Sequence, residues 1–246
     1  MQKRTLFSKY FGEITKCKRM TVRGDVDNVY MKVGLHDQCG DYIPGMFKWY
    51  RINNKGDIYV LDSNTPDKNS KNDGKLLAPL GKGKHYKSWL HYKCHIRPVE
   101  GYSRLVADIS IHTFVAAAWG LMDDIQDILL DTCEIHHKVK YILVDDELEH
   151  ITNDSPSNLV IMFNKRDHAV CDKLYDICVS LRNDKRLSTS IQMDLDNIIF
   201  KTGVSYDNML DVISLIGGIK GMSTTVYKQD SLDDIKNELE RDEYDF

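Results

Sequence analysis

The spacing of apolar residues changes several times along the chain, and each change marks an element. From Cys133 to Tyr141 apolar positions alternate: Cys133, Ile135, Val139 and Tyr141 share one parity with His137, while Glu134, His136 and Lys138 share the other. This period-two pattern predicts a strand, on which successive side chains point to opposite sides, so His136 and His137 face apart. Asn158 opens a second short apolar run, Leu159 to Met162, which predicts a second strand. From Lys165 the period becomes helical, with Val170, Leu174, Ile177, Cys178 and Leu181 forming one apolar stripe. His168 lies roughly opposite that stripe, grouped with Cys171, Asp172 and Tyr175. Asp172, four residues on, shares its face.

The flanking segments are read in the same way. Residues 1–40 carry little periodicity beyond a strand pair within Thr21–Val33, and Gly34 to Gly45 has turn chemistry. Phe47 to Leu61 predicts a β-hairpin turning at Asn54, Lys55 and Gly56. From His85 to Arg97 basic and aromatic residues interleave, predicting a strand with one basic or polar face. Ile109 to His112 continues a strand, and Thr113 to Trp119 predicts an alanine-rich helix that His112 helps to start. Tyr141 to Ser157 is acidic and predicts a solvated loop, since its carboxylates lack a repeating ligand pattern. Ile191 to Leu215 suggests a helix-turn-helix: Ile198, Ile199, Gly203, Val204, Met209 and Val212 have its core spacing, and Gly217-Gly218 closes it. Ser205, Tyr206 and Asn208 would then open the second helix, where they can bond phosphates or base edges.

Composition modifies this picture in two places. The net charge of −4 looks unfavourable for a polyanionic partner, but eight acids and two bases fall within Asp230–Phe246. Without that tail the body is mildly basic. Its first 23 residues contain seven bases and the single acid Glu13, and Lys82 and Lys84 end a Gly- and Lys-rich loop at 63–84, with Lys87 just beyond it; both regions are suited to phosphate contacts. Gly81 to Lys84 lacks the spacing of a nucleotide-binding P-loop. The six cysteines form no CxxC pair, there is no membrane-length apolar run, and the basic start lacks a signal peptide's apolar stretch. Reduced thiols and a cytoplasmic location are expected, with no membrane partner.

His136-His137, the strand-opening Asn158 and His168 on a helix, in that order, resemble the HNH endonuclease family. The likeness spans about fifty residues, from Cys133 to Leu181. Two upstream segments resemble parts of its phage homing members. One is Tyr50, Ile52, Asn53 and Gly56, without the usual Ser between Ile52 and Asn54. The other is His112 to Trp119, with Trp119 for the usual Phe. The resemblance implies an α+β protein with a ββα-metal nuclease core at residues 126–182. Ahead of the core would lie a basic segment at 1–40 and a β-rich DNA-contacting region at 41–125. A helix-turn-helix-like module at 183–225 and an acidic tail at 226–246 would follow.

The resemblance also assigns roles. His136, His168 and Asp172 would hold a divalent metal, Mg²⁺ or Mn²⁺, with Zn²⁺ as the alternative. His137 would be the general base, and Asn158 would hold its strand in place. Where family members space the Asn and the helix ligand by nine residues, Asp167 would replace His168; Asp172 stands where certain members have a His. The implied activity is hydrolysis of a phosphodiester bond in double-stranded DNA by a monomer, nicking one strand because one core makes one cut. If the gene is phage-borne, this occurs in the host cytoplasm. A different reading remains open. Cys133 and His136, with His168 and Cys171, have the spacing of a structural zinc site, as in a DNA-binding regulator without catalysis.

Overall fold

Alternation in the first strands separates two apolar faces. The computed structural model describes residues 18–36, 42–62, 65–77, 93–96, 107–122, 133–145, 147–151 and 153–219. Strands β1 (Lys18–Met20), β2 (Asn28–His36), β3 (Tyr42–Asn53), β4 (Ile58–Val60) and β5 (Lys75–Leu76) make an antiparallel sheet in sequential order. Met31 and Val33 of β2, Tyr50 and Ile52 of β3 and Ile58 of β4 join one core, while Tyr30, Trp49 and Leu61 form a cluster of their own. The predicted hairpin forms with Ile52 paired to Ile58, and Gly56 takes the left-handed φ of 88° that its turn demands.

Helix α1 (Ile111–Trp119) covers the first of these cores. Ala116, Ala117 and Ala118 are all buried in it, as is Phe114, which meets Tyr50 edge-on with ring centroids 5.4 Å apart. The helix starts two residues before the predicted Thr113, following β7 (Ala107–Ser110), which pairs with β6 (Lys93–Ile96). Gly120 ends it in the left-handed conformation, its N–H donating to the carbonyls of Ala116 and Ala117. Strands β8 (Glu134–His137) and β11 (Leu159–Met162) pair antiparallel, with His137 opposite Leu159 and His136 opposite Val160. Cys133, Ile135 and Leu159 reach the same core.

The chain divides into two compact units, the first comprising residues up to His137 with His150–Phe163, the second Lys138–Glu149 with Asn164 onward. In the second, the segment expected as a loop is partly a hairpin. Strands β9 (Tyr141–Val144) and β10 (Glu147–His150) pair, and Asp145 turns between them at φ 48°. The acidic run hid this because its turn carries Asp rather than Gly or Pro. Helix α2 (Lys165–Arg182) spans the predicted stretch, and the Asn164 side chain caps it by accepting from the Arg166 N–H at 2.8 Å. All five stripe residues are buried, but so are Cys171 and Tyr175 on the face shared with His168; α2 is enclosed on two sides.

Helix α3 (Thr189–Asn197) runs into a wide π-helical turn, Ile198–Thr202, before Gly203 reverses the chain. Helix α4 (Met209–Ile219) follows. Ile199, Val204, Met209 and Val212 are buried as their spacing predicts. Gly217-Gly218 does not close the unit: both residues lie within α4, which continues to Ile219. Among the described residues no helix is long and apolar enough to cross a membrane.

Two glycines of this unit should respond oppositely to alanine. Gly203 has φ 66° and a Cβ there would overlap the Lys138 carbonyl, whereas one on Gly217 meets nothing within 4 Å. Gly203→Ala is expected to destabilise the protein by at least ~2 kcal/mol, and Gly217→Ala to stabilise it by up to ~1 kcal/mol. Denaturant midpoints of the two variants check both signs.

Candidate functional site

Strand parity separates the His pair as the alternation requires, and tertiary structure gives each ring its own surroundings. His137, at the end of β8, places Nε2 2.8 Å from Asp154 Oδ1. Its ring also meets that of His112 edge-on, with centroids 5.4 Å apart and planes at 86°. His112, His137 and Asp154 present ligand atoms all within 4.8 Å of one another. Each comes from a different element: the first turn of α1, the last residue of β8, and the loop leading to β11.

That loop is held in place from two sides. Asn158, buried at the start of β11, donates from Nδ2 to the Asn153 carbonyl at 2.8 Å, and the Ser155 N–H donates to Asn153 Oδ1 at 3.1 Å. Asn158 is therefore a positioning residue for the loop that carries Asp154. Against the other side lies the β3–β4 turn: a Cβ on Gly56 would sit 2.6 Å from the Asp154 carbonyl oxygen. The approach requires glycine for its lack of a side chain as well as for its φ.

Asp154 was among the carboxylates expected to be solvated, and His112 was expected only to help start a helix. The first needs correction; His112 does stand at the start of α1, and its ring also reaches His137. Asp154 is buried and bonded to His137, because Asn158 holds the loop that leads into β11, the strand paired with β8. His112 lies in the first helical turn, on a side that brings its ring to His137. Their sequence separation from His137 concealed both contacts; the one available signal was the Asn153-Asp154 turn preceding the Asn-led strand.

The expected metal ligands are divided between the two units. His136 is fully buried on β8 in the first. In the second, His168 and Asp172 stand one turn apart on α2 with ligand atoms within 4.8 Å. Asp167, the alternative to His168, lies in the first turn of α2. Asp172 already has a cationic partner, since the Lys140 ammonium donates to its Oδ1. Burial pushes Lys140 below the ordinary lysine range, against the pull of Asp172 and Asp176. Burial likewise raises the carboxyl of Asp176, which Lys140 partly offsets. The Lys140 backbone N–H donates to Tyr175 Oη at 3.1 Å, and that hydroxyl donates to the Ile199 carbonyl at 2.6 Å.

The structural-zinc arrangement gains no support. Cys171 is buried, which raises its thiol to about 12, and its Sγ donates to Met209 Sδ at 3.9 Å. No candidate metal group among the described residues includes a cysteine.

The residues expected to read DNA have mixed outcomes. Lys82, Lys84 and Lys87 lie outside the described residues, as does the acidic tail. Ser205 and Asn208 are occupied in a capping box: the Ser205 N–H donates to Asn208 Oδ1 at 2.7 Å, and Asn208 Nδ2 donates to the Gly203 carbonyl at 2.8 Å. Their sequence signature for a DNA contact equals that of a helix start, and the structure uses them for the latter. Tyr206 is exposed, beside the exposed acids Asp207 and Asp211. Compared with protein-family models, with curated proteins and with solved structures, the chain matches none.

The Gly56–Asp154 contact is open to a direct test. Gly56→Ala should cost ~2–4 kcal/mol by forcing apart the β3–β4 turn and the loop, in addition to the strain at φ 88°. The same substitution should change the His112 and His137 side-chain NMR resonances, although it touches neither ring. A neutral effect on denaturant midpoint would count against this role for the turn.

Proposed function

We propose that the protein is a metal-dependent DNA endonuclease of the HNH homing type, hydrolysing a phosphodiester bond in double-stranded DNA. The observation that carries this reading is the Asp154 carboxylate 2.8 Å from His137 Nε2, on the histidine that the family resemblance makes the general base. With the proton on Nε2 donated to the carboxylate, Nδ1 is the basic nitrogen. Asp154 then orients the imidazole and stabilises the imidazolium formed when water gives up its proton. Asn158 acts through the loop, holding Asp154 at that distance.

A divalent cation, Mg²⁺ or Mn²⁺, supplies Lewis-acid stabilisation of the scissile phosphate and of the leaving 3′ oxygen when bound. His136, His168 and Asp172 are the residues proposed to hold it, with Asp167 as the substitute for His168. The carboxylate and retained waters suit Mg²⁺ or Mn²⁺ while the imidazoles also admit Zn²⁺, and Asp172 would exchange its Lys140 partner for the ion.

Contact with the DNA backbone is assigned to basic side chains of the N-terminal half. Lys18 and Lys32 are directly paired across β1 and β2. The Lys32 ammonium lies 3.6 Å from the centroid of the Phe47 ring. Two lysines side by side on a strand pair concentrate positive charge, which suits a phosphate backbone. In the C-terminal helices Tyr206 is the better candidate, since Ser205 and Asn208 serve the cap. The enzyme is proposed to act as a monomer and to nick.

Plasmid cleavage tests the reading. The wild-type chain should nick supercoiled plasmid with Mg²⁺ or Mn²⁺ and cease with EDTA. His137→Ala should lower the rate by ~10²–10⁴-fold while retaining DNA binding in a gel-shift assay. Undiminished cleavage by that variant would refute the mechanism, and a His137→Ala chain that no longer folds would favour a structural role for this histidine.

A further inference from the structure

The two histidines and the aspartate around β8 are more than a general base with its orienting carboxylate. We infer that His112, His137 and Asp154 form a binding site for a borderline transition-metal ion such as Zn²⁺, distinct from the hard-cation cofactor of the proposed endonuclease. Nothing in the HNH resemblance calls for His112 or Asp154 as ligands. The inference rests on where the fold places three donors.

The donor set is one that such an ion accepts. Two imidazoles and one carboxylate suit zinc and its neighbours, whereas Mg²⁺ prefers oxygen ligands and retained water. Three protein ligands also leave a fourth position for water. Around a tetrahedral zinc with ligand bonds near 2.0–2.1 Å, donor atoms are about 3.3 Å apart. The three ligand atoms already lie within 4.8 Å of one another, and His137 Nε2 is 2.8 Å from Asp154 Oδ1. The His137–Asp154 pair lies closer than that spacing and would open to admit the ion.

The backbone positions are rigidly supplied. His112 stands in α1, whose next six residues are all buried in the core. His137 is fixed by its pairing with Leu159. Asp154 is clamped between the Asn158 hydrogen bond and the glycine turn at Gly56. A site preorganised in this way loses little conformational entropy when an ion enters. Asp154 and His112 already flank the His137 ring, so the ion takes the lone pair of the ring nitrogen that faces them, and the single proton of the neutral imidazole moves to the other ring nitrogen.

On the endonuclease reading, the same occupancy removes His137 from proton transfer, so zinc would act as an inhibitor while Mg²⁺ or Mn²⁺ sustains cleavage. That consequence depends on the proposed function; the binding site itself does not.

The experiment reads bound metal rather than activity. The full chain, stripped with chelator, is dialysed against ZnCl₂ and its metal content measured, with CoCl₂ absorption in the visible as a second probe. At least one zinc per chain is expected, and His112→Gln and Asp154→Asn should each weaken binding at this site at least ~10-fold. Circular dichroism establishes that each variant is folded. Where a variant fails to fold, zinc titration of the wild-type chain followed by histidine NMR takes its place, and the His112 and His137 resonances should move together. Unaltered affinity in folded variants, or resonances of both rings that stay put while zinc binds, would overturn the inference. A chain that binds zinc here but never cuts DNA would refute the endonuclease reading and leave the site standing.

Discussion

The approach of the β3–β4 turn to the Asp154 carbonyl is the constraint on which the candidate site depends. Without a side chain at Gly56, the turn can lie against the loop backbone; with one, the loop would be displaced by more than hydrogen-bond tolerance. Asn158 holds the same loop through the Asn153 carbonyl. These two supports hold the backbone around Asp154, whose carboxylate lies beside His137. A hydrogen bond of 2.8 Å is thus set by packing two turns away in space and about a hundred residues away in sequence. The same rigidity serves either proton transfer or metal binding, because both need donors fixed before the ligand arrives.

In the second unit the equivalent role falls to buried polar groups. Tyr175 accepts from the Lys140 backbone and donates to the Ile199 carbonyl, joining the chain before β9 to α2 and to the π-helical turn. Its ring stacks on Tyr141 with centroids 5.8 Å apart. Buried polar groups are costly unless satisfied, and here each bond satisfies two elements at once. Lys140 is the exception in kind: burial disfavours its charge, and Asp172 and Asp176 favour it. A carboxylate proposed as a metal ligand therefore begins in an ion pair. Exchange of ammonium for metal would couple ion binding to the packing around Lys140.

The C-terminal helices illustrate how one signature serves two ends. Ser205 and Asn208 fit both the opening of a recognition helix and a capping box. In the folded chain their polar atoms bond to each other and to Gly203. The exposed acids Asp207 and Asp211 beside Tyr206 also make this helix start a poor counterpart for phosphates. The paired lysines of β1 and β2 are chemically better suited, and no periodicity marked them, since pairing across strands is invisible in one dimension.

Local pattern was sufficient for several features. The opposition of His136 and His137 follows from strand parity, the span of α2 from its apolar stripe and Asn cap, and the hairpin turn at Gly56 from its residue types. These are short-range consequences of backbone geometry, so neighbouring residues determine them. The β9–β10 hairpin escaped because charge obscured its turn, and α4 ran through Gly217-Gly218 because its buried stripe outweighed the helix cost of glycine. The partners of His137 belonged to tertiary structure alone. His112 and Asp154 lie 25 and 17 residues from it in sequence, and only the packing of α1 and of the loop before β11 brings them to one place. Sequence determined which chemical groups were available and which way β8 presents its histidines; the fold decided which groups meet, because meeting depends on backbone paths that distant residues enforce.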